Sequence, residues 1–225
     1  MHTFYEILQG AKEAAVGADS NRYGVEIGVV TNVQDPQQLG RIRVQIPRLP
    51  GGPEGDWARV AQPAAGAGRG FYWLPEVGDE VLIAFELGQP DKPYVIGCLW
   101  NGKDKPMNGA YQNDNSTRMI QTKSGHQVIL CDKSGDEKIV IADKSGKRTI
   151  TFDVKNKKFV VEDGEGDIEM HAKKKIVLEC EDLEIKTSKT TKIDVGDKFS
   201  LNVSADATIK ADGKLQIKAT RVNIN

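Results

Sequence analysis

The last 119 of the 225 residues contain no proline: all nine lie between Pro36 and Pro106. Tryptophan is absent there too, since Trp57, Trp73 and Trp100 all fall in the first part, and 16 of the 23 glycines precede Thr117. Charge of one sign is missing. With 31 Lys and Arg against 32 Asp and Glu the formal charge is −1, which excludes a protein whose main work is gripping nucleic-acid phosphates. No apolar run approaches the ~20 residues of a membrane helix; the longest, Val81 to Phe85, has five. Residues 1–20 lack the apolar run of a signal peptide, so the expected place of synthesis is the cytoplasm. Cysteine is scarce as well. Cys98, Cys131 and Cys180 fit neither a disulfide framework nor zinc spacing, and are expected to be buried small hydrophobes in a reducing compartment. There is no serine-nucleophile elbow, zinc-protease motif or dinucleotide fingerprint. The expectation is a non-enzyme without cofactor or metal.

Composition therefore divides the chain near residues 101–117. Four segments are expected: an N-terminal arm over 1–22, a barrel over 23–102, a linker over 103–117 and an extended region over 118–225. In the arm, Phe4, Ile7 and Leu8 have helical spacing. From Tyr23 the pattern turns to short strands: Val25 to Val30, Arg41 to Ile46, Trp57 to Ala61, Phe71 to Leu74, Glu80 to Phe85 and Tyr94 to Gly97. Ile42, Val44 and Ile46 share one face. Turn chemistry at Pro36 and Gly40, and again at Gly78, separates them. Five or six such strands predict a small closed barrel of the OB type. Residues 1–117 carry 10 basic and 14 acidic side chains, the wrong balance for a single-strand nucleic-acid groove.

The second part reads as strands throughout. Lys123-Ser-Gly125, Lys133-Ser-Gly135 and Lys144-Ser-Gly146 alternate with β-branched runs, a turn signal. Further on, Val177, Ile185, Ile193, Leu201, Ile209 and Ile217 recur every eight residues. None of the 20 even positions from Asp182 to Thr220 is apolar, whereas 14 of the 19 odd positions from Leu183 to Ala219 are. Val195, Phe199, Val203 and Leu215 belong to this odd set. An even period places the whole row on one face of an extended chain, a pattern no helix produces. That face has to be buried against something. A single-chain solenoid needs turns of about 20 residues. Three chains around one axis accommodate octads, and closure removes exposed sheet edges. The candidate trimer-core seam is therefore Val177, Ile185, Ile193, Val195, Phe199, Leu201, Val203, Ile209, Leu215 and Ile217.

Residues 24–102 also carry a family resemblance. The segments are Gly28-Val-Val30, Asp35-Pro36, Gly40 to Val44, Trp57 to Ala61, Leu74-Pro75 through Gly78 to Phe85, Asp91-Lys-Pro93 to Gly97, and Trp100-Asn101-Gly102. In order and spacing they resemble the OB domain of phage baseplate assembly protein V and of VgrG, the type VI secretion spike. The resemblance implies an all-β protein: an N-terminal OB barrel that trimerises and sits on a hub, then a C-terminal intertwined trimeric β-helix. It implies a structural central spike of a contractile phage tail or phage-tail-like injection system, made in the bacterial cytoplasm. The implied partners are two more copies of the chain, a hub protein at the barrel end and a PAAR-like tip protein at the other, with transient contact with a target membrane and none with nucleic acid. No hub-like domain precedes Tyr23, so the hub is expected on another polypeptide. The alternative is an OB module binding oligosaccharide or nucleic acid on a β-solenoid stalk, which predicts a monomer.

Overall fold

A computed structural model describes residues 22–47 and 55–223. The expected N-terminal arm lies almost wholly outside them. Contacts divide the chain after Glu169 into two units, each considered by itself.

The first unit begins with the barrel: β1 (Val25–Asn32), β2 (Arg43–Gln45), β3 (Arg59–Val60), β4 (Ala65–Gly66), β5 (Arg69–Gly70), β6 (Glu80–Phe85) and β7 (Pro93–Cys98). Five of these form one sheet in the order β2-β1-β6-β7-β3, with β3 and β7 parallel and the other pairs antiparallel. An antiparallel bridge between Ile42 and Ala58 joins the two ends of that order. The connectivity is that of an OB barrel, as expected. Its core is Val30, Ile42, Val44, Ala58, Val81, Ile83 and Val95. The alternation read at Ile42 and Val44 delivers both to the interior, and Ile46 packs against it.

One expected strand does not form. Phe71 to Leu74 lies outside the ladders, and the small hairpin β4–β5 precedes it. The barrel is already closed, so no partner edge remains for a further strand. The Phe71 N–H instead donates to the Ala64 carbonyl at 2.9 Å, capping the hairpin, and Phe71, Tyr72 and Trp73 are left exposed. The cysteine expectation is also corrected. Cys98 and Cys180 are exposed and Cys131 is half-buried. Cys131 stands in a cross-strand row of polar residues, and Cys180 belongs to a segment in which nothing is buried.

The rest of the first unit is a five-stranded meander: β8 (Thr117–Gln121), β9 (Gln127–Cys131), β10 (Lys138–Ala142), β11 (Arg148–Asp153) and β12 (Lys158–Asp163). Each Lys-Ser-Gly near-repeat lies in a turn between neighbours. Gly125, Gly135 and Gly146 take φ of +100°, +75° and +69°, values that a residue with a Cβ adopts only under strain. The pairing is regular and builds cross-strand rows. One is Ile120, Val128, Ile141, Ile150 and Val161; another is Arg118, Leu130, Ile139, Phe152 and Phe159. Both rows lie on the same face, because their members are two residues apart along each strand.

The second unit has no regular secondary structure. Every described residue from 164 to 223 is exposed. Between residues 172 and 223 no backbone-to-backbone hydrogen bond forms within the chain. The backbone bends at 173–174, 181, 188–189, 196–197, 204–205, 212–213 and 220. That is a period of about eight residues, the same as the apolar row. Ser188, Gly196, Ser204, Asp212 and Gly213 stand at the bends, residue types suited to corners.

Candidate assembly surfaces

The barrel's motif residues perform distinct local tasks. Asp35 organises the β1–β2 connection. Its Oδ1 accepts hydrogen bonds from the Gln37 N–H at 3.0 Å and Arg41 Nη2 at 2.7 Å. Its Oδ2 accepts from the N–H groups of Leu39 at 3.0 Å and Arg41 at 3.3 Å, and from Arg41 Nε at 3.0 Å. This is a bidentate guanidinium fork plus three backbone donors. The Arg41 side chain, followed by those N–H groups, holds the Asp35 carboxyl well below the usual carboxylate range. Pro36 begins the turn, and Gly40 leaves it at a φ of +71°. Sequence reasoning placed Asp35 in the motif but did not foresee Arg41 as its partner. The signal was the six-residue separation across a proline turn.

Gly28 is buried on β1, and a Cβ there would lie 2.3 Å from Ile83 Cδ1. The absence of a side chain is what lets the core isoleucine reach across. Pro75 and Pro93 are buried; Gly78 donates its N–H to the Val30 carbonyl at 2.8 Å and turns the chain into β6. Asn101 secures the exit from the barrel. Its Oδ1 accepts from the N–H groups of Lys103 and Asp104 at 2.8 and 2.7 Å, and its Nδ2 donates to Glu80 at 3.3 Å. Asp91 and Gly102 are exposed, and Gly97 has open space beside it on β7.

Two aromatic rings on the barrel, those of Trp57 and Tyr94, are covered by its own cations. The Trp57 ring carries Arg43 at 5.0 Å and Arg41 at 5.8 Å from its centroid, and the Tyr94 ring carries Arg59 at 5.6 Å. The Tyr94 hydroxyl donates to Glu86 at 2.8 Å. These are stacking pairs made within the chain. Among the described residues no group of three or more His, Cys, Asp and Glu side chains is placed to hold a metal ion, and no helix is long and apolar enough to cross a membrane.

The acidic turn after β12 is organised around Asp163. Its carboxylate accepts from the N–H groups of Glu165 at 2.9 Å and Gly166 at 2.7 Å, and from Arg148 Nε at 3.1 Å. The backbone donors, with Arg148, hold its pKa below the usual range.

All ten candidate seam residues are exposed in the single chain, from 47% at Val195 to 74% at Ile209. Each member of the octad row lies three or four residues after the last residue of a bend, near the middle of the stretch between corners: Val177 after 173–174, Leu201 after 196–197, Ile217 after 212–213. The row thus occupies equivalent positions on successive straight segments. The structure does not bring these residues together within one chain.

Comparison with known proteins agrees with this geometry. Residues 26–100 match the family described as the type VI secretion system/phage-baseplate injector OB domain. The relatives are VgrG proteins. The type VI secretion system spike protein VgrG4b of Pseudomonas aeruginosa is 43% identical over 68 residues, 28% of this chain and 8% of the relative. VgrG5 of the same species is 39% identical over 72 residues, covering 30% and 9%. The actin cross-linking toxin VgrG1 of Vibrio cholerae is 30% identical over 108 residues, covering 44% and 10%. The chain is VgrG-like, and the barrel is where it matches the injector family. It spans about a tenth of the length of these curated relatives.

Proposed function

We propose that three copies of this chain form the central spike of a contractile phage tail or phage-tail-like injection system, with no enzymatic step of their own. The barrels are the base that meets the hub. The region from 118 onward is the rod, ending in an intertwined triple-stranded β-helix that is driven through the target envelope and is open to a PAAR-like tip. The observation that carries this reading is the coincidence of two periods in residues 172–223: an apolar residue and a backbone bend each recur about every eight residues, in a stretch with no backbone pairing of its own. Unpaired backbone and exposed apolar side chains are both costly, and a shared three-fold axis relieves both. Each large seam side chain adds about 1.5–3 kcal/mol when buried.

The absence of proline after residue 106 fits the same reading, because each ladder residue has to donate its N–H. Against the alternative, an OB module gripping bases or sugars, Trp57 and Tyr94 already carry the chain's own guanidinium groups, while Phe71, Tyr72 and Trp73 stay exposed.

Static light scattering tests the proposal. The expected mass is near three times the 24.7 kDa of one chain. Leu201→Asp would set three carboxylates together in an apolar seam, where desolvation and like-charge repulsion oppose assembly. A monomeric wild type, or a Leu201→Asp protein that stays a heat-resistant trimer, overturns the seam assignment.

A further inference from the structure

Two Asn-Gly steps lie close together between β7 and β8, Asn101-Gly102 and Asn108-Gly109, and the sequence has no others. Such a step is a reactive pair. Glycine has no Cβ to shield its backbone nitrogen or to restrict its φ, so that nitrogen can reach the carboxamide carbon of the asparagine before it. In sequence the two steps are equivalent. The fold makes them different.

Asn101 is half-buried and tied in place. Its N–H donates to the Asp104 carbonyl at 2.9 Å. Its Oδ1 accepts from the N–H groups of Lys103 and Asp104 at 2.8 and 2.7 Å. Its Nδ2 donates to Glu80 at 3.3 Å and to the Asp104 carboxylate at 3.4 Å. Closing a ring onto Gly102 requires this side chain to turn and its Nδ2 to leave, so these bonds have to break first.

Asn108 is exposed, and its carboxamide has no hydrogen-bond partner among the described residues. Gly109 is exposed too, at a φ of +82°, with open space where a Cβ would stand. Its N–H likewise has no partner among the described residues. The turn around the pair is closed by the Ala110 N–H on the Met107 carbonyl at 3.1 Å, and Gln112 Nε2 donates to the Gly109 carbonyl at 3.2 Å. Neither bond holds the two groups that would react.

We propose that Asn108 is a self-modification site of this chain, and that Asn101 is protected from the same reaction by its hydrogen bonds at the barrel exit. The Gly109 nitrogen attacks Asn108 Cγ. The N–Cγ bond forms, the Cγ–Nδ2 bond breaks, and the Gly109 proton leaves with Nδ2 as ammonia. The cyclic imide then takes up one water. Opening at Cγ gives aspartate, whereas opening at the main-chain carbonyl leaves Gly109 joined through Cγ and gives isoaspartate. Water is the co-reactant, and nothing is oxidised or reduced. Either product places a new negative charge on the segment joining the barrel to the meander, and isoaspartate lengthens the backbone there by one carbon. The proposal is independent of the oligomeric reading above.

The test incubates the full chain at mildly alkaline pH and digests samples with trypsin, which cuts after Lys103 and so separates the two steps. Fragmentation mass spectrometry locates each deamidation and distinguishes aspartate from isoaspartate. Reaction at Asn108 is expected to be at least about tenfold faster than at Asn101; tenfold corresponds to about 1.4 kcal/mol, the scale of a single net hydrogen bond. In urea, where the fold no longer distinguishes them, the two rates are expected to converge. Asn108→Gln, whose longer side chain closes such a ring poorly, is expected to remove the main acidic species that anion exchange resolves in the aged protein. Four results overturn the inference: an Asn108 that stays intact while the unfolded chain reacts, equal rates at the two sites in the folded chain, a difference that survives in urea, or an unchanged yield of acidic species from Asn108→Gln.

Discussion

Gly28→Ala is a small change with a calculable cost. The added Cβ would lie 2.3 Å from Ile83 Cδ1, 3.3 Å from Ile83 Cγ1 and 3.4 Å from the Gln45 carbonyl oxygen. Ile83 is fully buried among Val30, Ile42 and Val81, so its terminal methyl cannot swing into free space. Overpacking of this kind costs about 1–3 kcal/mol. Ile83→Val alone removes the methyl that the alanine would strike, at a cost of about 0.5–1.5 kcal/mol. In the double variant the new Cβ occupies part of the space the methyl vacates. The two changes are therefore expected to be non-additive, with the double variant more stable than the sum of the singles by about 1 kcal/mol. Urea unfolding followed by tryptophan fluorescence is the assay, and it is selective: all three tryptophans lie between residues 57 and 100, so the signal reports the barrel and not the rod. Additivity of the two changes to within about 0.5 kcal/mol, or a Gly28→Ala barrel as stable as wild type, would refute the close-approach argument for this motif glycine.

Two further perturbations probe charged clamps. Asp35 titrates below its usual range in the folded chain, so its contribution is present above the unfolded carboxylate value of about 3.9 and is lost as pH falls towards the folded value. Asp35→Asn should flatten the loss of barrel stability below about pH 4; an unchanged acid slope in that variant contradicts the clamp. Asp163→Asn weakens the anchor at the end of β12, so amide exchange should quicken over 158–163 and stay unchanged over 138–142. Equal acceleration in both strands would mean that the carboxylate supports the whole sheet and not its last edge.

Much of this architecture is legible in one dimension, for reasons that can be stated residue by residue. Ile42 and Val44 alternate because one side of β2 faces the core, and they are buried as the pattern predicts. The Ser-Gly steps mark turns because Gly125, Gly135 and Gly146 hold positive φ. Phe71 to Trp73 misled because aromatic residues favour strands wherever an edge is free, and here the barrel had none. Cys98 misled for a related reason. Its type is usually buried, but it ends β7 in an exposed position, although local desolvation followed by the charge of Asp79 still pushes its thiol pKa up.

Sequence alone determined what depends on local chemistry and period: the proline boundary, the strand alternation, the turn glycines and the octad row. These are properties of neighbours along the chain. Tertiary structure alone decided which strands pair, and with it the closure of the barrel through Ile42 and Ala58, the Asp35–Arg41 fork and the space that Gly28 leaves for Ile83. It also separated two kinds of strand that look alike on paper. Those of residues 117–163 find partners within their own chain, because turn glycines fold them back at short range. The stretch beyond residue 170 bends about every eight residues and forms no backbone pair within the chain over 172–223.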